Sequence, residues 1–273
     1  MAAYFKALSA IYERYFPKRK KKSGTKVKEQ TNRSKRPRSN PRINTTPAKM
    51  ALKTKTGIAA ITVTVVAFLF VLISFCTPYW LVNDGKIKDP KFIRIGLWEV
   101  CFNNFEDFRH QYDYRFTGCW WVFEEEYYII FDFLLPNFFI ATQFFYTLCM
   151  TLVLIGAFFT WMYCFCSRDH DKYLLLLLSN GANLTLGGIF GLIAVCIFGA
   201  NGDNRDWMPH WQNNDLSWSF GFACVGSLLL LPAGALFLVE ARRARYRRLR
   251  GSQPPSQYSM DVRKETTAHH TDI

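Results

Sequence analysis

The chain has 273 residues, half of them hydrophobic, and a formal net charge of +13. The hydrophobic residues are concentrated in four blocks, which is typical of a membrane protein and argues against a single soluble domain. The basic residues are concentrated at the two ends: residues 1–56 hold 17 Lys and Arg, whereas residues 77–135 hold more acidic than basic side chains. This distribution indicates a membrane topology and excludes nucleic acid as the expected partner.

Residues 1–56 form a basic N-terminal region that we predict to be cytosolic and largely disordered. The region lacks the apolar core and cleavage site of a secretory signal, so the first apolar block is expected to be a retained signal-anchor. Apolar side chains recur with helical spacing from Tyr4 to Phe16, ahead of a KRKKK cluster. This stripe either lies as an amphipathic helix on anionic membrane lipid or belongs to a disordered tail.

Four apolar blocks are predicted to be transmembrane helices, because each is long enough to cross about 30 Å of hydrocarbon. They cover residues 57–76, 138–165, 174–200 and 218–239. The ARRARYRRLR segment after the last block is interpreted as a cytosolic stop-transfer cluster, since cytoplasmic flanks are rich in Lys and Arg. With both termini cytosolic, residues 77–137 and 201–217 become extracellular loops.

The third block is rich in small residues, and its Gly187 and Gly191 form a GxxxG pair. Such a pair permits close approach of helices in lipid. The glycines serve either packing within the chain or homodimerisation, and we favour packing within the chain.

The first loop is the longest polar segment outside the ends, and it carries Cys101 and Cys119. Apolar side chains alternate there with period two, first at Ile95 and Leu97 and again around Phe116, which predicts strands with one covered face. The other six cysteines lie in or beside apolar blocks. Because two loop cysteines on the non-cytosolic side of a membrane normally pair, we predict a Cys101–Cys119 disulfide.

No set of residues matches a catalytic constellation or a phosphate-binding loop, so we expect neither enzyme activity nor a cofactor. Cys164 and Cys166 follow the second block directly and are candidate palmitoylation sites, with inert thiols as the alternative. Their loose spacing to His170 fits a zinc site poorly, and no metal is predicted. The acidic residues of the first loop form either a cation-attracting surface or ordinary solvated charge.

Residues 241–273 are predicted to be a cytosolic tail that ends in His270-Thr271-Asp272-Ile273. Thr271 and the carboxylate-bearing Ile273 fit a class I PDZ ligand, which adds as a strand to the edge of the domain's sheet. The alternative is a chance match, because the motif is short. We favour a PDZ scaffold as partner of this tail.

A Trp after the first span, a GLW triplet and two cysteines in a large first loop together resemble the claudin family. The residues that carry this pattern are Trp80, Gly96, Leu97, Trp98, Cys101 and Cys119. The resemblance covers roughly residues 57–240. The phrases IGLWEVCFNNFEDF and GCWWVFEEEY look more closely like the Pasiflora-type claudin-like proteins of invertebrate septate junctions. Two departures from claudins are the wide spacing of the cysteines and the long basic N-terminal region.

The resemblance implies an all-α membrane fold: a four-transmembrane-helix bundle with a small extracellular β-sheet formed mainly by the first loop. The GLW residues would seat that loop at the membrane surface. The implied function is that of a structural protein of occluding, septate-type junctions on the lateral plasma membrane. Its disulfide-pinned first loop would contribute to the paracellular barrier, with other junctional membrane proteins and a homo-oligomer in cis as partners. An auxiliary subunit of a channel or receptor is the alternative, because relatives of the same fold include those.

Overall fold

The computed structural model describes residues 54–106, 115–166, 172–202 and 207–251. Within these ranges the chain forms four long helices and one five-stranded antiparallel sheet. The helices are α1 (Lys55–Cys76), α2 (Asn137–Phe165), α3 (Tyr173–Asn201) and α4 (Trp218–Gly251). Each helix is long and apolar enough to cross a membrane. The predicted four-helix membrane fold with a small sheet is therefore confirmed.

Several sequence predictions fall on residues outside the described ranges. They concern the N-terminal region with its Tyr4–Phe16 stripe, His170 between α2 and α3, and the PDZ-type ligand at Thr271 and Ile273. All of these remain predictions.

The ends of α1 follow from side chains next to it. Thr54 caps the helix, because its hydroxyl oxygen accepts a hydrogen bond from the backbone N–H of Gly57 at 3.0 Å. The helix thus begins at Lys55, two residues before the expected position. It ends at Cys76 because Thr77 precedes Pro78, and the proline ring disfavours a helical conformation in the residue before it.

The helices form a ring in which α2 packs on α3, α3 on α4, and α4 on α1. Glycines of α3 permit close contacts with its neighbours. A Cβ on Gly191 would overlap the hydroxyl of Ser227 on α4, and a Cβ on Gly187 would lie 3.4 Å from Leu152 on α2. Both glycines of the GxxxG pair therefore face neighbouring helices of the same chain, and the choice between packing within the chain and homodimerisation stays a prediction.

The last helix, α4, continues well past Glu240. The sequence predicts instead that the membrane domain ends at this residue and that a tail begins at residue 241. Residues 241–251 are a continuation of the same helix, since they are rich in the strong helix formers Ala, Arg and Leu and contain no glycine before Gly251. Glu240 is 0% exposed, and its carboxylate accepts hydrogen bonds from the Thr56 hydroxyl at 2.8 Å and from Arg247 at 3.1 Å. This carboxylate ties α4 to the start of α1.

The sheet lies at the opposite end of the bundle. Four strands come from the segment between α1 and α2, and the last comes from the segment between α3 and α4: β1 (Leu81–Asn83), β2 (Phe92–Ile95), β3 (Glu99–Glu106), β4 (Arg115–Trp121) and β5 (Asn214–Leu216). The strand order in the sheet is β4-β3-β2-β1-β5. The sheet is thus formed mainly by the first loop, as predicted. We did not predict β5, because three residues are too few to show an alternating pattern.

The inner face of the sheet is aromatic, and a bulge in β3 makes this possible. Phe102 and Phe105 are three residues apart and would point to opposite faces of a regular strand. The register shifts between them, and Asn104 takes a positive φ of 50°. Both rings are therefore buried, with centroids 4.9 Å apart. Tyr127, from the 3-10 helix Glu125–Ile130, covers Phe102, and their ring centroids are 6.1 Å apart.

Candidate functional site: the sheet mounted on the helix bundle

Trp80 joins the sheet to each of the helices α1–α4. Its side chain is 0% exposed, and its indole N–H donates to the carbonyl of Ser74 on α1 at 2.9 Å. In a continuous helix this carbonyl would accept from the residue four places later, but that residue is Pro78, which has no N–H. The indole therefore satisfies a carbonyl that α1 cannot, and the Ser219 hydroxyl donates to the same carbonyl at the longer distance of 3.4 Å. Its ring packs edge-on against Tyr146 of α2, Phe198 of α3 and Phe220 of α4, with centroids 5.0–5.7 Å away.

The backbone of Trp80 is bonded within the sheet end of the molecule as well. Its N–H donates to the carbonyl of Ile95 in β2, and its carbonyl accepts from the N–H of Ser217, each at 3.0 Å. One residue thus holds both loops against the bundle. It fixes where the sheet stands relative to the helices.

Gly96 and Leu97 make the second attachment of the sheet. A Cβ on Gly96 would lie 2.5 Å from the Cα of Pro78, so only glycine permits this approach of two backbone segments. The side chain of Leu97 is 1% exposed, and its carbonyl accepts from the amide of Gln143 on α2 at 2.6 Å. The two residues hold β2 against α1 and α2.

Trp98, the last residue of the triplet, lines a groove between the end of α1 and the end of β4. Its ring centroid is 5.3 Å from that of Phe75 on α1. Its indole nitrogen is buried and has no hydrogen-bond partner among the described residues. The groove is also lined by Pro78 and by Trp120 and Trp121 of β4, and its volume is about 200 Å³.

The predicted disulfide is present and joins β3 to β4. Cys101 and Cys119 are directly opposite each other in the strand register, and their sulfurs are bonded at 2.03 Å. Arg94 of β2 lies over the bridge and donates through Nε to the sulfur of Cys101 at 3.2 Å. The same guanidinium donates to the hydroxyl of Tyr79 and stands 4.6 Å from the centre of its ring. Arg94 therefore covers the buried Cys101 side of the bridge, whereas Cys119 is exposed.

Glu99 and the two cysteines bring potential metal-ligating atoms within 4.8 Å of one another. Metal binding by cysteine requires the thiolate. Both sulfurs are bonded to each other here, so this cluster does not supply thiolate ligands.

A second set of polar contacts ties the two loops together at the edge of the sheet. The backbone N–H of Asp84 donates to the carbonyl of Asn213 at 2.7 Å, and the amide of Asn213 donates to the Asp84 carboxylate at 3.1 Å. The ammonium and backbone N–H of Lys86 also bond this carboxylate and hold its pKa below the ordinary value of 3.8. Because the pKa of Asp84 is lower in the folded than in the unfolded chain, its ionised carboxylate stabilises the fold at pH values above the unfolded pKa. This stabilisation is lost as the pH falls through the folded pKa.

The segment from Trp120 to Phe131, which we name the β4 rim, exposes aromatic rings that the sequence did not mark as exposed. Tyr128 is 82% exposed and Trp121 55%. Three further aromatics and three carboxylates share this exposed segment: Trp120, Phe123, Phe131, Glu124, Glu125 and Glu126. An exposed aromatic patch of this kind is a candidate interaction surface.

The two candidate palmitoylation sites lie at the other end of the molecule from the β4 rim. Cys164 is exposed in the last turn of α2, and Cys166 follows the helix and is half-buried. Their positions accord with a membrane border, and modification at either residue remains a prediction.

A protein-family model described as PMP-22/EMP/MP20/Claudin tight junction matches residues 65–239. The matched segment begins within α1, ends within α4 and includes the sheet, Trp80, the GLW triplet and both bridged cysteines. A comparison with curated proteins finds no match.

Proposed function

Since the match spans more than half of its length, the chain belongs to the PMP-22/EMP/MP20/claudin family of structural membrane proteins, and we propose that it helps to form the paracellular barrier of occluding cell junctions. The resemblance to Pasiflora-type proteins favours a septate-type junction. Residues 57–240 would be the membrane domain, and the sheet would face the space between cells.

The β4 rim is the observation that carries this proposal. Two of its exposed rings, Trp120 and Trp121, belong to a strand that is cross-linked to β3, and the sheet is attached to the bundle through Trp80 and Gly96. A contact surface held this rigidly loses little conformational entropy when it binds a neighbour. Lateral contacts through the rim would place many sheets side by side and narrow the path between cells. Other junctional membrane proteins and further copies of this chain in cis are the partners that such a row requires.

The orientation that we propose places both basic ends in the cytosol. The Arg-rich continuation of α4 lies at the end of the bundle where α1 begins, and the sequence that precedes α1 is rich in Lys and Arg. Cytoplasmic flanks are enriched in such residues. Cys164 and Cys166 would then be palmitoylated at the inner leaflet.

The proposal is tested by tracer permeability across an epithelium depleted of the protein. We expect depletion to admit tracer and the wild-type chain to restore exclusion. A chain with Trp121→Ser and Tyr128→Ser should reach the junction and fail to restore exclusion, because it lacks two exposed rings of the β4 rim. Leu249→Ser is the matched control, since Leu249 is 54% exposed at the opposite end of α4.

The opposite outcome is equally definite. If the tagged chain is spread over the whole plasma membrane and its depletion leaves the tracer excluded, the junction function is wrong. An auxiliary subunit of a channel or receptor would then be the function to pursue.

The C-terminal tail is tested separately. Deletion of Ile273 should abolish capture of the chain by a PDZ scaffold, because it moves the terminal carboxylate away from an apolar side chain. Ile273→Val, which keeps an apolar last residue, should preserve capture. Unchanged capture after the deletion would remove the PDZ ligand from the proposal.

A further inference from the structure

The continuation of α4 past Glu240 is strongly basic and carries one exposed stripe of arginines. Residues 241–251 contain six Arg and no acidic residue. Arg243, Arg247 and Arg250 recur at the spacing of a single helix face, and Tyr246 lies among them and is 66% exposed. These four side chains line an open groove with a volume of about 360 Å³.

The position of this groove relative to the bundle follows from its hydrogen bonds. Thr56, in the first turn of α1, donates to Glu240 and accepts from Arg243, each at 2.8 Å. The groove therefore begins level with the end of the apolar span of α1. By the helical rise of about 1.5 Å per residue, Arg247 and Arg250 stand roughly 6 and 10 Å beyond Arg243. The headgroup layer on each side of a bilayer is roughly 5–8 Å thick, so the stripe crosses it and ends just outside.

The direction of the side chains completes the geometry. Side chains on an α-helix tilt toward its N-terminus, and the N-terminus of α4 lies at the sheet end. The arginines of the stripe are thus directed back toward the membrane border. A guanidinium binds phosphate oxygens through two parallel N–H donors, which suits it to phosphate esters.

We propose that the groove of Arg243, Tyr246, Arg247 and Arg250 binds the headgroup of a phospholipid that carries more than one phosphate. Three guanidiniums spread over about 10 Å match clustered phosphates better than the single charge of an ordinary anionic lipid. The acidic group beside the groove, Glu240, is buried and bonded to Arg247, so it orients that arginine. The exposed ring of Tyr246 would lie against the headgroup, as aromatic rings do at membrane interfaces. The leaflet concerned is the inner one if the orientation proposed above is right; binding itself does not depend on the junction function.

The test uses the full-length chain in nanodiscs that contain a photoactivatable phosphatidylinositol bisphosphate, with peptide mapping of the cross-linked residues. We expect labelling of the segment that contains Tyr246. The variant Arg243→Gln with Arg250→Gln should lose this labelling by roughly tenfold or more, because two phosphate contacts are removed. It leaves Arg247 in place, so Glu240 keeps its partner.

The matched control is Arg242→Gln with Arg245→Gln, which removes the same charge from exposed positions on another face of the helix. This control should keep most of the labelling. Equal loss of labelling in the two double variants would overturn the proposed site, because it would show that the total positive charge of the helix attracts the lipid. Labelling confined to the basic N-terminal region would overturn it too.

Two competitors test whether the groove requires clustered phosphates and whether it requires a membrane-anchored ligand. Nanodiscs in which phosphatidylserine supplies an equal negative charge should compete weakly, and equal competition would overturn the preference for clustered phosphates. Free inositol trisphosphate should compete only at much higher concentration than the lipid, since it lacks the membrane anchor. If it competes as well as the lipid, the site binds a soluble ligand and the proposal is wrong.

Discussion

A single indole ring, that of Trp80, satisfies a carbonyl that Pro78 leaves without a donor and fills the space between α1, α2, α3 and α4 at the sheet end. Pro78, which ends α1, thereby leaves a carbonyl that accepts its hydrogen bond from Trp80, two residues further along the chain. A bulky side chain that provides both a donor and a large apolar surface is required at this position, and Trp is the residue that provides both.

Substitution of Trp80 should separate these two contributions. Trp80→Phe keeps most of the ring and should cost about 1–2 kcal/mol of the free energy of unfolding through the lost hydrogen bond. Trp80→Ala also empties a buried volume and should cost about 3–5 kcal/mol. Thermal unfolding in detergent, followed with a thiol-reactive dye, measures both. Trp121→Ala, on the exposed β4 rim, is the control, and equal losses at the two positions would contradict the role given to Trp80.

At Gly96, the atoms that would meet an added side chain belong to the backbone and not to other side chains. A Cβ there would lie 2.5 Å from the Cα of Pro78 and 2.8 Å from the carbonyl oxygen of Thr77. Backbone atoms move less readily than the ends of side chains, so Gly96→Ala should displace β2 from α1.

We expect Gly96→Ala to cost about 1–3 kcal/mol or more and to lower the yield of monodisperse protein. Gly221→Ala is the matched control, because a Cβ on this exposed glycine of α4 would meet no atom within 4 Å. It should be neutral or stabilise the chain slightly, since Ala favours a helix by up to about 1 kcal/mol over Gly. A normal yield of Gly96→Ala protein would show that the approach of the two backbones is not needed.

At the scale of elements, the sheet depends on contacts between parts of the chain that are far apart in sequence. The disulfide joins β3 and β4 across a separation of 18 residues, and β5 pairs with β1 from the other loop. β5 has three residues and cannot be stable alone. Its pairing is therefore a consequence of the helix bundle, which brings the two loops to the same end.

Reduction of the disulfide should lower the stability of the folded chain by about 3 kcal/mol. The melting temperature of the wild type should fall on reduction, and the variant Cys101→Ser with Cys119→Ser should have the lower value under both conditions. Cys76→Ser, at an exposed free thiol, should behave as the wild type does. An unchanged melting temperature, after thiol labelling has shown that the bond is cleaved, would mean that the strands hold the hairpin unaided.

The glycines of α3 provide a second test at this scale. Gly191→Ala would push a methyl group into Ser227 and should cost about 1–3 kcal/mol, whereas Gly187→Ala meets Leu152 at an ordinary contact distance of 3.4 Å and should be tolerated. Thermal unfolding compares the two variants, and chemical cross-linking in the membrane measures dimers. If both substitutions lower the dimer fraction and leave the melting temperature unchanged, the pair serves dimerisation after all.

The whole molecule has two ends of different chemistry. One end carries the aromatic and acidic β4 rim, and the other carries the arginines of α4. Since a membrane protein keeps one orientation, these two ends should meet different compartments.

Cysteines introduced at the two ends test the orientation. A membrane-impermeant thiol reagent applied to intact cells should label Tyr128→Cys, whose parent side chain is 82% exposed in the β4 rim. It should label Tyr246→Cys, whose parent is 66% exposed on α4, only after the cells are permeabilised. Labelling of the wild type under each condition is the background to subtract. Labelling of Tyr246→Cys in intact cells would reverse the orientation and with it the proposed function.

Local features of the sequence predicted the helices and the disulfide well. Each apolar run is at least as long as a bilayer needs, and hydrocarbon accepts such a run only as a helix or a closed barrel. Cys101 and Cys119 are the two cysteines outside the apolar runs, so their pairing followed from elimination. The helix bounds agreed or differed by at most two residues at every end but the last, where α4 continues to Gly251.

The membrane spans, the bridge and the position of the GLW triplet could thus be predicted from the sequence, because each depends on a run or pairing that is visible along one stretch of chain. The contacts of the triplet, the pairing of β5 with β1 and the contacts of Trp80 with α3 and α4 required the folded structure. They join segments that are distant along the chain, in the case of β5 and Trp80 by more than a hundred residues, and no local pattern carries that information. The continuation of α4 past Glu240 is local, but the basic run was interpreted only as a stop-transfer cluster, and the structure shows that it presents Arg243, Arg247 and Arg250 on one face.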